Sequence, residues 1–278
     1  MFNASSKKTT VKKAAAPTGQ VADDATASVP TATWNPWWAL LFVVVVYLVS
    51  QLVSSLIILI YPWLHHWSVN HINNWSHNSI WAQFFYVLIA EALVVGAIYG
   101  FLRSRHLSLR AIGLKKPRWA DVGYGALALP VYFALYVAAV IIIQHVVSNF
   151  NVDQQQDIGF TNVVGAGSLV LTFISLVVLP PLAEEIMVRG FLFSSLKRLV
   201  PVRWAILLTS LIFASAHLPE GGAAGPLWIA FIDTCILSLA LCYLREKTGS
   251  LWAGITLHAL KNGIAYYSLF IVPLIHFH

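Results

Sequence analysis

Two adjacent carboxylates, Glu184 and Glu185, stand in an otherwise apolar stretch directly after Pro180 and Pro181, with Arg189 one turn further on. An ionised carboxylate at mid-bilayer costs at least about 2.5–3.5 kcal/mol even on lenient insertion scales. Two of them together are therefore unlike idle membrane residues. Glu185 and Arg189 are four apart with the acid first, the favourable order for an ion pair on one helix face. Glu184 lies about 100° around the helix from Glu185 and is not served by that pair. One carboxylate is thus neutralised, and the other is left for acid–base work. The structural alternative is a buried charge cluster that only fixes helix packing. The proline pair is expected to interrupt the helix and start a new segment, placing Glu184 near a helix N-terminus within the membrane.

Two further polar pairs follow at helical spacing, Phe213 with His217 and His258 with Asn262. Either alone is weak, because a lone membrane histidine commonly just hydrogen-bonds a neighbouring helix. Depth strengthens them. At 1.5 Å per residue, Glu184 lies about 20 Å from the helix end near Lys197, and His217 about 20 Å from Arg203. His258 and Asn262 lie roughly 12 and 18 Å from Ser250. Glu184, His217, His258 and Asn262 are thus expected at one level of the membrane.

Such side chains need membrane helices to carry them, and the composition supplies these. Of 278 residues, 58% are hydrophobic and 10% charged, and the mean hydropathy is +0.73. Soluble domains carry about 25% charged residues, so the fold class is all-α, a polytopic integral membrane bundle. Apolar runs over 37–60, 80–102, 121–147, 168–199, 204–217, 226–244 and 251–275 predict about seven spanning helices. Residues 1–35 are expected to be a disordered cytoplasmic tail, with Lys7, Lys8, Lys12 and Lys13 as a candidate lipid contact, and 36–278 the transmembrane domain. The net charge of +6 is a topology signal: Arg103, Arg105, Arg110, Lys115, Lys116 and Arg118 follow the second run, and Lys197, Arg198, Arg203, Arg245 and Lys247 flank later ones. Alternate loops hold none, which predicts a cytoplasmic N-terminus and excludes a nucleic-acid partner.

Several residues carry quieter readings. Asp233 and Lys261 come out at similar depth and are expected to form a structural interhelix ion pair. Glu91 falls near the same level, with no assigned role. Cys235 and Cys242, about 10 Å apart along one helix, are too far apart to bridge and are read as free thiols. His65, His66, His71 and His77 sit among Tyr61, Trp63, Trp67 and Trp75 in an external loop. An interfacial aromatic belt with solvated histidines is preferred there over a metal site. Asp153 and Asp157 fit a second external loop, and 221–225 is expected to be a flexible turn.

Glu184-Glu185-x-x-x-Arg189, Phe213-x-x-x-His217 and His258-x-x-x-Asn262, with Thr248-Gly249-Ser250-Leu251-Trp252 leading into the last, resemble the three motifs of the type II CAAX prenyl proteases. These belong to the larger CPBP group of CAAX proteases and bacteriocin-processing enzymes. The resemblance covers 168–265, with no departure at the key positions. It implies a glutamate-dependent intramembrane endopeptidase: Glu184 as general base, His217 helping to hold the water, His258 and Asn262 stabilising the oxyanion, and Glu185 with Arg189 ordering the site. The implied substrate is a peptide or protein in or at the lipid bilayer, with prenylated or other lipid-anchored chains among the options. Glu184, His217 and His258 are also an acceptable zinc-ligand set, so a zinc-dependent form stands beside a metal-free one. No His-Glu-x-x-His pattern is present. The rival readings of the buried charges are an ion or proton-coupled transporter and a non-catalytic membrane scaffold.

Overall fold

Helix α1 (Pro36–Leu64) starts where the Asn35 side chain accepts a hydrogen bond from Trp37 N–H at 2.9 Å, with Pro36 at the first turn, where its missing N–H is harmless. The computed structural model describes residues 34–276 apart from Asp157 and Asn162. The expected tail, including Lys7, Lys8, Lys12 and Lys13, lies outside the described residues except for Trp34 and Asn35. Those two belong to the fold: Trp34 is buried and stacks on Phe191 at 4.7 Å between ring centroids.

The remaining elements are α2 (Val69–Asn78), α3 (Ile80–Ser104), α4 (Trp119–Val146), α5 (Ala166–Leu196), α6 (Val202–Ser215) and α7 (Trp228–Thr248). A last helical run, α8, covers 252–276. No strand occurs among the described residues. Ser68 and Ser79 cap α2 and α3 through their hydroxyls. Residues 61–79, expected to form a loop, are therefore largely helical. Trp67 packs there against Tyr61, His71 and Trp75. The stretch after His217 is a short 3-10 turn (Leu218–Ala224) kinked at Gly222, whose φ is 55°, and closed by Leu227 N–H donating to Leu218 O.

Among the described residues six helices are long and apolar enough to cross a membrane: α1, α3, α4, α5, α6 with its 3-10 extension, and α7. The chain is an integral membrane protein. The seventh expected span, α8, is continuous and long, but His258, Lys261 and Asn262 dilute its apolar character. The bundle is apolar outside and polar at its seams. Leu41 and Leu48 on α1 and Leu127 and Val131 on α4 face outward, while Ser50, Ser54, Thr209, Ser210 and Ser238 are buried. Small polar residues at seams let helices approach where lipid removes the hydrophobic drive.

Helix α1 packs on α3, α6 on α7, and α8 on α4 and α7, with α5 touching α1, α3, α6 and α8 from the middle. At one end the basic loops are tied together. Arg245 donates to Ile112 O at 3.0 Å, Leu251 N–H to Gly113 O at 3.0 Å, and Trp252 Nε1 to Lys115 O at 2.7 Å. Gly113 has φ 97°, and an added Cβ would stand 2.5 Å from the Arg245 guanidinium.

The proline pair does not start a new helix. Helix α5 runs on through it by widening into a π turn at Ile174–Val178, where Leu179 N–H reaches back five residues to Ile174 O. Glu184 has φ −65° and ψ −40° and lies inside the helix, not at an N-terminus. The expectation failed because a π turn can absorb the missing donors without breaking the helix.

Candidate active site

The second π turn of α5, Glu185–Leu192, carries the buried pair. Arg189 Nη1 lies 2.8 Å from Glu185 Oε1, both side chains being essentially without solvent contact. The Arg189 guanidinium stands over the Phe213 ring of α6 at 4.3 Å, a cation–π contact that desolvation strengthens. The ion pair expected from the i,i+4 spacing is therefore present, and Phe213 extends it to a second helix.

Helix α8 closes on the pair through Gly254. A Cβ at that position would lie 2.7 Å from Glu185 Oε2, so any larger residue would push the helix or the carboxylate away. One turn on, His258 sits between the two acids: Nδ1 is 3.4 Å from Glu185 Oε1 and Nε2 is 3.8 Å from Glu184 Oε2. Neither contact has hydrogen-bond geometry, and Nδ1 is left without a hydrogen-bond partner among the described residues. Glu184 differs from its neighbour in that its side chain retains 23% exposure and has no arginine or lysine partner, while the Oε2 of each acid receives no hydrogen bond among the described residues.

His217 ends α6. Its Nδ1 lies 2.9 Å from Phe213 O, and a carbonyl can only accept, so Nδ1 carries the proton and Nε2 a lone pair. That Nε2 is 3.9 Å from Glu220 Oε1, too long for a direct hydrogen bond. Glu220 in turn accepts from Gln156 Nε2 at 2.7 Å. The Phe213 ring touches the rings of both His217 and His258, at 4.8 and 6.2 Å.

Asn262 is engaged elsewhere. Its Nδ2 donates to Leu176 O at 2.9 Å. That carbonyl would take its helical bond from residue 180 in an α-helix or 181 in a π turn, and both are prolines without an N–H. The Asn262 amide supplies the donor that the proline pair removes, and keeps one N–H in reserve.

Lys261 Nζ and Asp233 Oδ2 form the expected interhelix pair at 2.8 Å, and Tyr132 OH also donates to Asp233. Glu91 is half-buried on α3, with no hydrogen bond or ion pair among the described residues. Cys235 and Cys242 are free thiols. Glu184, His217 and His258 do not gather as a zinc set: among the described residues no three His, Cys, Asp or Glu side chains form a metal-holding group. That includes the histidines near α2.

Sequence reasoning missed Gly254 and Glu220. Gly254 had a readable signal, standing four residues before His258 and hence on the same helix face. Glu220 had none beyond its place three residues after His217.

Residues 166–264 match a family model described as type II CAAX prenyl endopeptidase, Rce1-like. No curated protein and no solved structure matches the chain. The matched stretch opens at the first residue of α5 and runs two residues past Asn262, so it contains each of the three motifs and the seam of α5, α6 and α8 they build. Over residues 166–264, about a third of its length, the chain is similar to the type II CAAX prenyl endopeptidases.

Proposed function

We propose that the chain hydrolyses a peptide bond of a membrane-associated substrate, with Glu184 taking the proton from the attacking water. The observation that carries this reading is the division of labour between two neighbouring acids. Glu185 is fully buried, is paired with the Arg189 cation through Oε1 and lies against His258, whereas Glu184 has no arginine or lysine partner among the described residues and its side chain keeps 23% exposure. A general base must be within hydrogen-bond reach of a water, and of the two acids Glu184 is the one with solvent-exposed surface and no counter-cation. His217 presents an unprotonated Nε2 because its other nitrogen is held by Phe213 O, which suits it to hold the same water.

As the scissile carbonyl becomes tetrahedral, donors aimed at its oxygen stabilise the developing charge. His258, held between two carboxylates, and the reserve N–H of Asn262 take that role. The proton gained by Glu184 then passes to the leaving amine. Glu185 and Arg189 keep His258 in place. The substrate class that fits is a peptide chain held at the bilayer by a lipid anchor, and the basic loops are assigned to the cytoplasmic side.

The test compares terminal peptides of membrane proteins from cells carrying the wild-type chain or Glu184→Gln. A defined set of new termini absent from the variant is expected; identical termini in both would sink the reading. Stripping metal from the purified protein, with metal analysis, is expected to leave turnover intact. Loss of turnover restored by added zinc would replace water activation by Glu184 alone.

A further inference from the structure

A pocket of about 520 Å³ opens between the start of α1 and the end of α3. That volume falls within the roughly 300–1,000 Å³ typical of small-ligand sites. Its walls are largely aromatic and aliphatic, with Trp38 and Phe42 on α1 and Phe191 on α5. The polar groups that reach it are donors. Arg105 stands with its guanidinium 5.3 Å from the Phe101 ring centroid and pairs with no acid among the described residues. Trp34, 5% exposed, contributes its ring to the wall. Asn35 spends its side-chain oxygen on Trp37 N–H and so offers only its amide nitrogen. No acidic side chain lines the pocket.

An apolar cavity whose polar rim contains donors and a cation calls for a ligand with an apolar body and an anionic, acceptor-rich head. Its place in the bundle narrows the choice. Trp37 and Trp38 are exposed at the start of α1, and Arg105 follows the last turn of α3, the tryptophan-and-arginine pattern of a membrane–water interface. We propose that this pocket binds an anionic phospholipid of the bilayer, its phosphate on Arg105 and Asn35 Nδ2 and an acyl chain along Trp38 and Phe42. The occupant also touches Phe191, six residues after Glu185 on α5. Lipid binding there therefore braces the helix that carries the two acids.

Native mass spectrometry of the detergent-purified full chain tests this, with phosphatidylglycerol or phosphatidylcholine added. Phosphatidylglycerol adducts are expected to dominate. Arg105→Gln is expected to lower them about fivefold, as loss of one cation near an anionic headgroup implies, while Arg110→Gln leaves them in place. Leu41→Trp, at an exposed position lining the pocket, is expected to displace the lipid with Arg105 intact. Equal losses in the two arginine variants, or phosphatidylcholine held as firmly as phosphatidylglycerol, overturn the proposal. So does a photo-crosslinker at position 41 that captures residues 1–33 instead of lipid.

Discussion

Glu184 and Glu185 differ by one position and are expected to fail in different assays. Glu185→Gln leaves Arg189 buried without its counter-charge, and breaking a buried pair in this way costs about 3–5 kcal/mol. The expected readout is a large fall in the unfolding midpoint in detergent. Glu184→Gln removes no such partner, so the midpoint should hold while turnover falls by about 10²–10⁴, the range general-base catalysis supplies. A stability loss of equal size in both variants would contradict the division of roles. Gly254 gives a second residue-level check. Gly254→Ala places a Cβ 2.7 Å from Glu185 Oε2 and should weaken both fold and activity. Gly263→Ala on the same helix meets only Val177 Cγ1 at 3.7 Å and should gain up to about 1 kcal/mol from helix propensity. The pairing of Glu185 with Arg189 was legible because i,i+4 spacing is a property of one helix. The place of His258 between both acids was not, because it depends on how closely α8 approaches α5, which only the glycine at 254 permits.

At the scale of the element, α5 shows how a helix can carry two prolines without breaking. The chain widens, the Leu176 carbonyl is left without a backbone donor, and a side chain from α8 replaces it. Asn262→Ala should therefore destabilise the bundle by about 1–3 kcal/mol, the usual penalty for an unsatisfied buried acceptor. In a Pro180→Ala background, where residue 180 regains its N–H, that penalty should shrink. A thermal double-mutant cycle measures the coupling, and additive losses would show that the amide does not serve the prolines. Any kinetic defect of Asn262→Ala that survives in the Pro180→Ala background belongs to its remaining N–H. The sequence made the prolines and Asn262 visible separately, one as a helix breaker and the other as a motif residue. Nothing in their spacing, 81 to 82 residues apart, showed that they answer each other. Helix α2 was hidden for a related reason. Its ten residues include four asparagines and two histidines, and the apolar row of Val69, Ile72 and Trp75 spans less than two turns, so periodicity gave little to read.

For the whole molecule, the membrane bundle was legible from composition alone, because lipid leaves an all-helical chain few alternatives. The limits of that reading appear at α8, the helix least suited by itself to leave water. A lysine near the centre of a span costs about 2.5–3.5 kcal/mol on insertion scales, and α8 adds a histidine and an asparagine to it. Each of these has its partner earlier in the chain: Asp233 on α7 for Lys261, Glu184 and Glu185 on α5 for His258, and Leu176 on α5 for Asn262. During synthesis those partners precede α8 out of the ribosome. The last helix can then enter the membrane by docking on a prepared polar face rather than by partitioning alone. A glycosylation-mapping assay of insertion should find α8 crossing poorly as an isolated segment and well in the full chain, with Asp233→Asn lowering its yield. The residues that make the site thus also set the order of assembly: the site is finished by the act of inserting its final helix.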